Sequence, residues 1–302
     1  MSKSDRKFQR WVPHDQLTWS YQIFQEYNGE LHQILNTHLA SETVVYASLK
    51  AQGAKWSDHP SKFINPKGRD LELYRDLKEW SVSYKQFDNW VTLSRILTIA
   101  STIETYLASV IELALSSDPG LLFGVSKKID GATILKHKTR SGFDPTQQIT
   151  ACTKGNLSSR LHAFERIFGE CPEPFKNAHS SLEELRNIRN RFGHAFGRDI
   201  DLARKRGPVN SFRPMEVVSR ERANTLWKNA SLAIRAIDTF LLSKHIGDFE
   251  AVRFYHELLP EMKKHTPKTA PRIFLKKSIG SAGARPRGKI YCDGLIAYWD
   301  AL

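Results

Sequence analysis

The sequence predicts an all-α protein, and three observations carry that reading. Apolar residues recur at spacings of three and four along most of the chain, the mark of a helix with one face turned to a core. The longest such run, from about Trp90 to Ser116, puts Leu93, Ile96, Leu97, Ala100, Ile103, Leu107, Val110, Ile111 and Ala114 in one stripe. Clusters of glycine and proline then mark where runs end, as at Asp118-Pro119-Gly120 and from Gly169 to Pro174.

Taken in order, residues 14–52 read as helix through Leu17, Tyr21, Phe24 and Tyr27, with a break at Asn28-Gly29 and a second helix from Glu30. Residues 53–70 read as a loop punctuated by Gly53, Pro60, Pro66 and Gly68. A helix from Leu71 to about Phe87 precedes the long one, and residues 120–155 read as irregular and basic. Leu157, Leu161, Phe164 and Phe168 mark another helix, and a further one starts near Ser180 through Leu182, Leu185, Ile188 and Phe192. A basic loop at 199–215 leads to the last long helix, 219–245, with a shorter one at 248–262. Between Lys263 and Lys289 stand nine Lys or Arg and no Asp or Glu. That stretch reads as a basic, partly disordered tail, and the final IYCDGLIAYWDAL is apolar again, fit to pack back on the body or to meet a partner. The expected organisation is an N-terminal helical region over 1–88, a helical bundle over 89–245, and a short helix plus tail over 246–302.

Composition narrows the function. The chain carries 45 Lys and Arg against 32 Asp and Glu, a formal net charge of +13. Such a balance attracts polyanions, nucleic acid first among them because bound counterions are released. The three cysteines, Cys152, Cys171 and Cys292, have no zinc or disulfide spacing. No apolar h-region follows the basic start, and no unbroken stretch approaches eighteen apolar residues, so neither a secretory signal nor a membrane span is expected. The default compartment is the reducing cytoplasm. The histidines show no metal-ligand spacing, and neither common Gly-rich phosphate loop is present, so no metal or cofactor is expected.

Chemistry concentrates in residues 181–198, SLEELRNIRNRFGHAFGR. On a helix Arg186, Asn190 and His194 follow one another at i, i+4 and i+8, beside the apolar side of Leu182, Leu185, Ile188 and Phe192. Arg189 falls near the border between the two. Gly193 is expected to end or loosen the helix there. A histidine can take a proton from a ribose 2′-hydroxyl near neutral pH. An arginine fork can hold the charge that builds on a phosphate in the transition state. Asparagine can position the phosphate or the histidine. A second acid, for the leaving 5′-oxygen, would come from another copy across a two-fold axis. Glu104, in the middle of the long apolar stripe, requires a basic partner and reads as a salt-bridge residue. Arg189 is one candidate for that partner. Arg186 could bind phosphate or pair with Glu183 or Glu184.

Arg189-Asn190-Arg191-Phe192-Gly193-His194 resembles the R-x4-H motif of the HEPN superfamily. The helix LTIASTIETYLASVIELAL, with Glu104 before an aromatic-bearing turn, resembles the first core helix of that family. The resemblance covers roughly 88–245 and implies a bundle of four to five helices. It further implies a homodimer with the motif at its interface, and a metal-independent endoribonuclease of the toxin or antiviral-effector kind. Some family members are controlled by an antitoxin partner. Arg189 and His194 would be catalytic, with Asn190, Glu104 and Arg186 supporting. The family's AMPylated toxins carry a tyrosine two residues after the histidine, where this chain has Phe196, so that regulation is not expected. The rival expectation is a non-catalytic helical scaffold that binds nucleic acid or protein through its basic surface.

Overall fold

The computed structural model describes residues 6–64, 73–138, 144–195, 214–265, 270–282, 285 and 287–302, without the side chains of residues 194, 195, 263 and 265. Among the described residues there is no strand, and eleven α-helices follow one another. They are α1 (Trp19–Ala51), α2 (Leu77–Ser117), α3 (Gly131–His137), α4 (Thr146–Thr153), α5 (Leu157–Phe168) and α6 (Glu173–Asn177). The remainder are α7 (His179–Ala195), α8 (Arg220–Leu241), α9 (Phe249–His265), α10 (Pro271–Ser281) and α11 (Lys289–Ala301). The all-α expectation holds.

Several boundaries differ from the expected ones. The break at Asn28-Gly29 does not occur: α1 runs unbroken for 33 residues. Gly29 is exposed, with nothing near its α-carbon, so its cost in the helix is only that of backbone freedom. The two helices expected on either side of residue 88 are one, the 41-residue α2. The stretch read as irregular contains α3 and α4. The first is started by Asp130, whose carboxylate accepts the Ala132 N–H at 2.9 Å.

Most of the described tail is also helical. Leu275 and Ile279 of α10 and Tyr291, Cys292, Leu295 and Trp299 of α11 are buried. Arg287, between them, is buried and gives two hydrogen bonds to Asp15, at 2.5 and 2.9 Å. Charge counting missed α10 because its apolar residues are spaced among the lysines at helical period, and a few anchors suffice to fold the segment onto a core.

The chain divides into two compact units. Unit 1 holds Met1–Phe24, Ile103–Glu183 and Asn229–Leu302, and unit 2 holds Gln25–Thr102 and Glu184–Lys228. They are not the consecutive segments anticipated, since α1, α2, α7 and α8 each contribute to both.

In unit 1 the core gathers Tyr106, Leu107, Val110, Ile111, Ala114 and Leu115 of α2, Phe164 and Phe168 of α5, Ala233, Ile234, Ile237 and Leu241 of α8, and the C-terminal helices. Two polar networks tie the N-terminal segment into it. The Arg10 guanidinium donates to Ser117 O at 3.0 Å, Ile246 O at 2.7 Å and Asp130 Oδ1 at 3.0 Å. Asp238 accepts from the Thr18 backbone at 3.0 Å and from the Tyr106 hydroxyl at 2.7 Å. Both satisfy groups that would be costly if buried alone.

Unit 2 is built along α1 and α2. Leu31, Leu35, His38, Glu42, Val45 and Leu49 form the more covered side of α1. The polar members of that stripe meet charge: His38 Nε2 lies 3.1 Å from Asp88, and Arg220 bonds to both Glu42 and Asp88. Tyr46, Trp80, Tyr84 and Phe87 pack in a chain of ring contacts, with Trp80–Tyr84 centroids 5.3 Å apart and Tyr84–Phe87 centroids 6.0 Å apart.

α2 is long and apolar enough, by length and composition, to cross a membrane, and half of the stretch that meets that test is buried in the fold. The count of unbroken apolar residues missed it because serines and threonines are scattered through the run. Many of its apolar side chains, Leu93, Ile96, Ile103 and Val110 among them, are core residues.

Candidate active site

α7 owes its position to Leu182, Leu185, Ile188 and Phe192, all buried, as the helical spacing requires. This orients the polar side of the helix. Arg186, Arg189 and Asn190 are half-buried along it, and His194 follows one turn after Asn190. The Arg189 Nη1 donates to Asn190 Oδ1 at 2.9 Å, so the two motif residues act as a pair. This bond orients the guanidinium. Arg186 repeats the pattern on the previous turn, with Nη2 donating to Asn187 Oδ1 at 3.0 Å. The side chain of His194 and the whole of Phe196 lie outside the described residues.

The helix does not end at Gly193. It continues to Ala195, and a side chain at 193 would meet only Leu97 Cδ1, at 4.0 Å. The next arginine of the motif is committed elsewhere: Arg191 grips Glu216 with two bonds, at 2.8 and 2.7 Å. Asn89 of α2 holds the same segment from the other side, donating to Glu216 O at 2.8 Å and accepting from the Val218 N–H at 3.1 Å. The acids near Arg186 also have named partners. Glu183 accepts the Leu157 N–H at 3.0 Å, and Glu184 bonds to Arg222.

Glu104 does face a cation. Arg160 Nη2 of α5 lies 3.4 Å from its carboxylate, both side chains being largely buried within unit 1. Arg160 is also held by Gly155 O at 3.1 Å. Sequence reasoning missed this arginine although the signal was present: Arg160 sits on the face of α5 that carries Leu157 and Phe164, where a lone charge demands a partner.

A groove of about 200 Å³ in unit 2 brings together residues far apart in sequence, including His32, Asp88, Arg95, Arg220 and Asn224. Burial pulls the Arg95 guanidinium below its ordinary pKa, and Arg95 donates to Asn224 Oδ1 at 2.6 Å. His38 shares the groove. Among the described residues no three of His, Cys, Asp and Glu stand close enough to hold a metal ion. Of the aromatics on α1 and after it that could stack on a base, Tyr21 is core, whereas Tyr27 and Trp56 are exposed.

No family model, no curated protein and no solved structure matches this chain.

Proposed function

We propose that the chain is an endoribonuclease that cleaves RNA without a metal, through Arg189, Asn190 and His194 of two copies meeting at a HEPN-like site. The observation that carries the reading is the Arg189–Asn190 hydrogen bond at 2.9 Å on a helix whose other side is core. A guanidinium oriented in advance by a neutral amide, one turn before a histidine, is suited to phosphate chemistry. In the reaction, His194 of one copy takes the proton of the ribose 2′-hydroxyl as that oxygen attacks the adjacent phosphorus. Arg189 stabilises the charge on the non-bridging oxygens. The partner copy's histidine protonates the departing 5′-oxygen, leaving a 2′,3′-cyclic phosphate and a 5′-hydroxyl. The net charge of +13 supports a polyanionic substrate. A role as a toxin or antiviral effector in the cytoplasm, under a regulatory protein, belongs to the same proposal.

The test is incubation of total RNA in EDTA with the parent and with His194→Ala and Arg189→Ala, followed by mapping of the product ends. Cleavage by the parent should yield cyclic phosphate ends, and each variant should lose at least a hundredfold in rate while staying folded. A folded His194→Ala protein that cuts as fast as the parent overturns the mechanism. RNA binding with no cleavage by any form favours the scaffold reading.

A further inference from the structure

Unit 1 contains a second site of a different kind. A cavity of about 820 Å³ opens between α3 and α9, within the roughly 300–1,000 Å³ typical of small-molecule sites. Its walls are mostly apolar, supplied by Ile134, Leu135 and Phe249, and it is edged by two cations, Lys138 and Arg253. No acid lines it among the described residues. Two carboxylates stand close by along α9: Glu250, which accepts the Trp19 backbone N–H at 3.0 and 3.1 Å and feels the charge of Arg253, and Glu257, next to His256 in the chain. Arg253 is exposed.

Two uncharged polar side chains also line it, Ser116 and His256. The Nδ1 of His256 is buried and has no hydrogen-bond partner, a costly arrangement for a ring nitrogen. The imidazole is held in place by the Trp299 ring, whose centroid is 5.2 Å away.

From this combination we infer that the cavity binds a small organic phosphate with an apolar body and a hydrogen-bonding edge, the chemistry of a nucleoside monophosphate. Two cations from different elements fit a dianionic head better than a monoanionic one. Apolar walls with two polar side chains, Ser116 and His256, fit a nucleobase, which has apolar faces and a polar edge. An acyl chain has no edge to offer His256. The inference stands apart from the ribonuclease reading, because the cavity is in unit 1 and Arg189, Asn190 and His194 are in unit 2.

The experiment is isothermal titration calorimetry of the full-length chain with the four 5′-nucleoside monophosphates, inorganic phosphate, adenosine and octanoate. Saturable binding of one monophosphate per chain is expected, at least tenfold tighter than the matching nucleoside or inorganic phosphate. Arg253→Ala, an exposed and fold-neutral change, should weaken it about tenfold, the loss of roughly 1.4 kcal/mol. Ile134→Trp should block it by filling the cavity. Arg189→Ala should leave it unchanged, which separates this site from product binding at the candidate active site. No binding of any monophosphate overturns the inference. So does binding lost in Arg189→Ala and kept in Arg253→Ala, and so does uptake of octanoate that no monophosphate displaces.

Discussion

At the scale of single residues, two charges on apolar faces explain each other. Glu104 on α2 and Arg160 on α5 each sit where a helix otherwise presents hydrocarbon, and they meet at 3.4 Å with little exposure. Removing one partner leaves a charge in a place that cannot solvate it. Arg160→Leu should therefore cost about 2–4 kcal/mol in urea denaturation. The double variant Glu104→Leu/Arg160→Leu should recover most of that loss, as a double-mutant cycle would read it. Equal loss in the double variant would mean that the pair is unimportant and the shape of Arg160 decides. The Arg189–Asn190 pair is of another type. It is half-exposed, so Asn190→Ala should lower cleavage while shifting stability by less than about 1 kcal/mol.

At the scale of elements, the glycines separate cases that look alike in sequence. Gly29 lies mid-helix in α1, exposed and surrounded by space. Gly29→Ala should raise stability by about 0.5–1 kcal/mol, because it removes backbone freedom from the unfolded chain. Gly131, the first residue of α3, is the opposite case. A methyl group there would stand 1.8 Å from Ser116 O, so thermal denaturation of Gly131→Ala should show a marked loss. The same scale governs the C-terminal segment. A basic stretch with no acids, residues 263–289, suggests a dispensable tail, yet α10 within it buries Leu275 and Ile279, and α11 after it buries Tyr291, Leu295 and Trp299. Deleting residues 289–302 should unfold or strongly destabilise unit 1, measured by circular dichroism. A truncated chain with unchanged melting would show that α11 adds nothing to the core.

For the molecule as a whole, pH is the informative variable. Burial pushes the Glu250 carboxyl up to about 7 and the Asp248 carboxyl up to about 6. Both folded-state values lie above those of the unfolded chain, so the fold favours the protonated forms. The stability they contribute is fully present below the unfolded values near 4 and is lost as pH rises through about 6 and then about 7. The chain should accordingly melt at a higher temperature near pH 5.5 than near pH 8, and Glu250→Gln should narrow the difference. The Gln variant tests the cause directly, since it keeps a hydrogen-bond acceptor for the Trp19 N–H.

The sequence by itself determined the all-α class, the buried faces of α2, α5 and α7, and the clustering of Arg189, Asn190 and His194 on one helix. These are local properties: helical period depends only on residues three and four apart, so a linear text contains it. It also announced that Glu104 needed a cation. What it could not name was the cation, because Arg160 lies 56 positions away and only packing brings it near. Continuity through Gly29, the docking of α10 and α11, and the gathering of Lys138, Arg253 and His256 around one cavity were likewise decided by tertiary structure. Each depends on surface buried between segments remote in sequence, and that burial outweighs the local signals for a break, a tail or a loop.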